Sequence, residues 1–156
     1  MEIILAKNHG FCYGVKRAVE MANEAANNDG KSYTLGPIIH NPQVVGRLED
    51  KGVSPVQEVS DIAEGTMIIR SHGVGPAIYE EAEQKGLNIV DATCPHVKKA
   101  QQDAKSVIED GMTLVILGEK NHPEVKSINL WANNKGIIIE DEESAQKLQI
   151  VEKMGV

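Results

Sequence analysis

The stretch Asn88-Ile89-Val90-Asp91-Ala92-Thr93-Cys94-Pro95-His96-Val97 sets how the chain folds. Asn88–Asp91, with Ile89 and Val90 at its centre, reads as a short buried strand. Ala92 and Thr93 make a tight turn. Pro95 suits the first helical position, where no amide hydrogen is needed and φ is preset. Cys94 therefore falls between a strand's carboxyl end and a helix's first turn. A helix start gathers amide hydrogens and partial positive charge, a setting that favours the thiolate, the form of cysteine that attacks or binds metal. The only other cysteine, Cys12, has a similar setting. Glu2–Ala6 reads as a strand, Lys7–Gly14 as a turn containing two glycines, and a helical pattern follows.

Outward from these two points the chain alternates. Ser32–Leu35, Thr66–Arg70, Asn88–Asp91, Thr113–Leu117 and Gly136–Ile139 read as further strands. Val15, Ala18, Val19, Ala22, Ala25 and Ala26 recur at helical spacing, as do Val97, Ala100, Ala104, Val107 and Ile108; Val44, Val45 and Leu48 do so more briefly. Gly30, Gly52, Gly86 and Gly111 sit where helices should end. Such βαβα order predicts an α/β fold with largely parallel sheets and flanking helices. The expected division is a first α/β domain over 1–93 and part of a second over 94–156.

Composition narrows the function. The chain has 156 residues and is 41% hydrophobic but only 3% aromatic, so its core must be built from Ile, Val, Leu and Ala. The formal charge is −7, and no Lys/Arg tract interrupts it, which argues against a nucleic-acid surface. No run is long enough to span a membrane and no secretory pattern opens the chain. The expectation is a cytoplasmic protein whose two cysteines are free thiols or ligands rather than a disulfide.

In open α/β sheets, ligands bind beyond the carboxyl ends of the strands. Five consecutive predicted strands are each followed by a Cys or His: Cys12, His40, His72, Cys94 and His122. Each has a plain structural alternative, a buried thiol in a turn or a loop imidazole with a satisfied partner. Gly10 and Gly14 flank Cys12 and would let a bulky group approach the backbone. His40 and His72 precede helix starts at Asn41-Pro42 and Gly75-Pro76, which suits an anion such as diphosphate. His122-Pro123-Glu124 places a carboxylate two residues from an imidazole, a pairing fit for proton transfer; otherwise Glu124 complements a helix dipole. His9 and His96 read as surface or supporting groups, and Trp131 as packing. The Cys12–Cys94 separation fits no zinc-finger signature, and the glycines near His72 fit no nucleotide motif.

Taken together, Gly10-Phe11-Cys12-Tyr13-Gly14-Val15, Ile39-His40-Asn41, Ser71-His72-Gly73-Val74, Asp91-Ala92-Thr93-Cys94-Pro95 and His122-Pro123-Glu124-Val125 resemble, in order, the motif series of the 4-hydroxy-3-methylbut-2-enyl diphosphate reductase family. The resemblance implies an oxidoreductase of the non-mevalonate isoprenoid pathway, built as a three-domain trefoil around a 4Fe–4S cluster. It implies that Cys12 and Cys94 are metal ligands, that His40, His72 and His122 bind the substrate diphosphate, and that Glu124 is the catalytic proton donor. It further implies an allylic diphosphate substrate and an electron donor such as ferredoxin or flavodoxin. The substrate would be reductively dehydroxylated to isopentenyl and dimethylallyl diphosphate. The family's third cysteine and third domain are not in this sequence, so the expectation is an amino-terminal fragment, inactive alone. Competing expectations are a zinc site using both cysteines and two histidines, or a cofactor-free α/β interaction domain.

Overall fold

In helix α1 (Tyr13–Ala26) the buried positions Ala18, Ala22 and Ala25 lie four and three residues apart and form one narrow stripe. Small side chains there let the helix lie close on the sheet beneath it. A computed structural model describes residues 1–27, 30–149 and 152–156. The sheet under α1 is four-stranded and parallel, built from β1 (Ser32–Leu35), β2 (Val53–Val56), β3 (Thr66–Ile69) and β4 (Asn88–Asp91) in the order β2-β1-β3-β4.

Strand β3 shows why this sheet is covered on both faces. Ile68 packs with α1, with Leu48 of α2 (Pro42–Glu49) and with Ile38 and Ile39. Met67 and Ile69 point the other way, to Val59, Ile62 and Ala82 of α3 (Pro76–Gln84). The alternation is the two-residue period of a strand, and all three side chains are fully buried. Each such burial is worth about 1.5–3 kcal/mol. Gly86, just past α3, has φ of +69°, the left-handed conformation expected of a helix-ending glycine.

The chain runs from β4 through Ala92 and Thr93 into α4 (Pro95–Glu109), then β5 (Thr113–Leu117), α5 (Pro123–Trp131), β6 (Ile137–Ile139), α6 (Glu142–Gln146) and β7 (Met154–Gly155). The second sheet is also parallel, in the order β6-β5-β7. Leu114 and Ile116 of β5 pack with Ala104, Val125 and Ala132.

The strands read from the sequence differ from the structure at several points. Glu2–Ala6 joins no sheet among the described residues, and Ile3, Ile4 and Leu5 are 73%, 83% and 75% exposed. The run has strand composition, but a strand also needs a partner edge, and local composition cannot supply one. Conversely, β2 was not expected, because Pro55 interrupts it. Its place on the sheet's edge makes that proline tolerable. The short β7 was also unforeseen, and two strand ends shift by one residue, to Ile69 and Ile137.

Replacing Ile68 by Ala should lower unfolding free energy by about 2–5 kcal/mol, the usual cost of emptying a packed core position. Leu117→Ala, at a side chain 67% exposed, should change it by less than about 0.5 kcal/mol. Urea titrations of the two variants check both values, and equal effects would disprove the core assignment.

Candidate functional site

The sheet order reverses direction between β1 and β3, so the loops after these strands diverge and leave a crevice at the carboxyl edge. The β1 loop carries His40 and the β3 loop carries His72. Their ring centroids lie 4.8 Å apart. His122, the residue capping α5, meets His72 edge-on at 5.8 Å. Three imidazoles from three separate loops thus form one cluster with His72 at its centre.

The cluster is held from below. Ser127 of α5 donates its hydroxyl to the His72 carbonyl at 2.8 Å, and buried Gln101 of α4 donates to that Ser127 oxygen at 3.2 Å. The Trp131 indole N–H donates to the Val74 carbonyl at 2.9 Å. His122 Nδ1 accepts the Glu124 backbone N–H at 3.2 Å, so the neutral His122 ring carries its proton on Nε2. Glu124 is half-buried in the first turn of α5.

His72 is the perturbed member. Burial pushes its pKa down to about 4, and the neighbouring Arg70, His40 and His122 charges push the same way. Its Nδ1 is buried without a hydrogen-bond partner, as is Arg70 Nε. A neutral ring between like charges is the low-energy state until an anion arrives.

The cysteines mark two helix starts. Cys12 caps α1 and Cys94 caps α4, and neither side chain bonds the amides it caps. The α1 helix turns its first-turn residue Gly14 against Cys94. A Cβ added at Gly14 would lie 2.5 Å from Cys94 Sγ. The group that approaches Gly14 is the other cysteine's thiol, whereas a Cβ at Gly10 would have nothing within 4 Å. Arg17, one turn along α1, donates to the Thr93 carbonyl at 3.2 Å. Cys12 is exposed and Cys94 partly so, and both thiols are free.

Asp91 fixes the turn that carries Cys94. Its carboxylate accepts the Thr93 N–H at 2.9 Å and the Tyr79 hydroxyl at 2.9 Å, and pairs with Lys98 Nζ at 2.6 Å. Burial alone would raise its pKa; the Lys98 ammonium and the Thr93 and Tyr79 donors outweigh this and leave it below the usual carboxylate range. Tyr79 is pushed up by burial and by Asp91.

Arg17, Arg70, Asp91 and Ser127 were not singled out from the sequence. Asp91 alone left a signal, an acid ending an apolar strand two residues before a backbone N–H. His9 bonds the Ala6 carbonyl at 2.8 Å and His96 is exposed. Among the described residues no three His, Cys, Asp or Glu side chains are grouped to hold a metal ion. No described helix is long and apolar enough to cross a membrane. Cys12 and Cys94 are uncapped thiols at adjacent helix starts, with Cys94 seated where a Cβ is missing.

Comparison with known proteins gives a consistent picture. The LytB protein family model matches residues 3–156. The chain is 51% identical over its full 156 residues to 4-hydroxy-3-methylbut-2-enyl diphosphate reductase of Geobacter metallireducens, covering 55% of that protein. It is 52% identical to the Pelobacter propionicus enzyme of the same name, covering 56%. The chain thus spans about half the length of the curated relatives it matches. A solved structure of (E)-4-hydroxy-3-methyl-but-2-enyl diphosphate reductase, the terminal enzyme of the non-mevalonate pathway, superposes with a TM-score of 0.80 at 47% identity, covering 93% of this chain and 53% of that one. The E-1-hydroxy-2-methyl-but-2-enyl-4-diphosphate reductase from Plasmodium falciparum gives 0.88 at 31% identity, covering 93% and 46%.

Two outcomes are expected. Gly14→Ala should cost about 1–3 kcal/mol by overpacking, and adding Cys94→Ala should recover most of it; a double-mutant cycle with no coupling would refute the contact. In an NMR titration, His72 should protonate with a midpoint near 4. The ordinary value of 6.5 applies to the unfolded chain, which therefore binds the extra proton between these limits. His72's contribution to stability is full above pH 6.5, falls as pH drops toward 4, and is constant below.

Proposed function

The chain belongs to the LytB protein family, and from that premise we propose that it forms the cluster- and diphosphate-binding part of an iron–sulfur oxidoreductase. The reaction is reductive dehydroxylation of 4-hydroxy-3-methylbut-2-enyl diphosphate to isopentenyl and dimethylallyl diphosphate. The observation that carries this reading is the convergence of His40, His72 and His122 from three loops. Such a group has little structural purpose, since like-charged imidazoles repel when protonated, but it matches a polyanion.

Cys12 and Cys94 would each give one thiolate to a 4Fe–4S cluster, with a third thiolate from outside these residues. A cluster held there would supply electrons received from a small carrier such as ferredoxin or flavodoxin. Gly14, Arg17 and Asp91 keep the Cys94 turn against the start of α1. The diphosphate meets His40, His72 and His122 Nε2–H. An opposite charge favours the protonated ring, so diphosphate binding raises the His72 pKa. Glu124 donates a proton to the substrate; its place in the first turn of α5 puts the carboxyl two residues from His122.

Anaerobic assay of the full-length protein tests this reading. Glu124→Gln should lower kcat by about 10²–10⁴-fold, the usual worth of a general acid, and leave diphosphate affinity nearly unchanged. His40→Ala should weaken binding first. Cys12→Ser or Cys94→Ser should abolish the brown iron–sulfur absorption. Near-normal turnover in Glu124→Gln would return Glu124 to a helix-complementing role, and an intact spectrum in both serine variants would refute the cluster assignment.

A further inference from the structure

A cleft beside the histidine cluster is bordered by Gly73, next to His72, and by Asn121 and Pro123, which flank His122. It holds about 300 Å³ and is lined by Arg70, Lys126, Gln57 and Asn121, with Val74, Ile78 and Leu130 among its apolar walls. None of the three histidines, neither cysteine and not Glu124 lines it. A water occupies about 30 Å³, so the space admits a small organic molecule.

Its charge is unusual for this protein. The chain has 23 acidic residues against 16 basic ones, yet two cations and no carboxylate line the cleft. Arg70 is half-buried and packs its guanidinium over Gly36, where an added Cβ would lie 2.8 Å from Nη1. Its Nε is buried with no hydrogen-bond partner. The ion pairs among the described residues use neither Arg70 nor Lys126. Removing a guanidinium from water without a counter-charge is costly, and placing a second cation on the same cleft adds to the cost. An anion between them would relieve both terms, with the planar guanidinium supplying paired donors suited to phosphate.

We propose that this cleft is a binding site for a small organic phosphate, its anionic head on Arg70 and Lys126 and its apolar body against Val74, Ile78 and Leu130. Gln57 and Asn121 line the same cleft and offer amide donors to the remaining phosphate oxygens. No histidine lines the cleft, so variants at His40 and His122 distinguish binding here from binding at the histidine cluster.

The test is titration of the full-length protein with inorganic phosphate and with n-butyl phosphate, read by calorimetry and by amide chemical shifts. Both should shift Gly36, Gly73, Gly75 and Lys126, and n-butyl phosphate should bind about tenfold tighter, the worth of two buried methylene groups. Arg70→Met should weaken binding about tenfold or more, as loss of a charged hydrogen bond does; His40→Ala and His122→Ala should leave these shifts in place. Lys126 is exposed, so Lys126→Glu tests the site without endangering the fold and should abolish binding. Unchanged affinity in Lys126→Glu, or shifts confined to His40 and His122 and lost with them, would overturn the proposal. A preference for inorganic phosphate over the butyl ester would overturn the apolar half of the assignment.

Discussion

The contact on which the site depends is the approach of the Cys94 side chain to the bare Cα of Gly14. It joins two helix starts that lie eighty residues apart in sequence (94 − 14). No side chain larger than hydrogen fits at Gly14 without moving Cys94. Arg17 reinforces the contact by bonding the Thr93 carbonyl, and Asp91 reinforces it from the other side through the Thr93 N–H. The turn is therefore held by α1, β4, α3 and α4 at once, and its geometry is inherited from the packing of the first sheet.

The histidine cluster follows from a different constraint. Parallel strands put their carboxyl ends on one edge, and reversal of strand order between β1 and β3 opens that edge. His40 and His72 are neighbours because their strands are neighbours. His122 joins them because α5 packs across the β3 loop, tied by Ser127 and Trp131 to the carbonyls of His72 and Val74. Helix α5 thus completes a histidine cluster that the loops of the first sheet begin. Burial and neighbouring positive charge hold the His72 pKa well below the usual imidazole range.

Much of this was legible in the chain. Ile- and Val-rich runs, helical spacing of alanines, prolines at helix starts and glycines past helix ends report local preferences, and they locate β1, β4 and β5 to the residue. The placement of His40, His72, Cys94 and His122 after strands is equally local. Where pairing partners were needed, the same reading failed. Ile3, Ile4 and Leu5 have the composition of a strand but no partner edge, whereas Val53–Val56, broken by a proline, gains one from β1. Strand formation is decided by hydrogen bonds to a distant segment, which composition does not encode.

The sequence by itself determined the α/β class, the order of its elements and the residue types available for chemistry, because each rests on neighbours along the chain. Only the tertiary structure decided which of those residues meet. That His72 is central and its pKa lowered, that Gly14 admits Cys94, and that half-buried Arg70 makes no ion pair among the described residues all depend on burial and on charges from other elements. Desolvation and Coulomb interactions act through space, so the chemistry of a side chain is settled by what folding brings beside it.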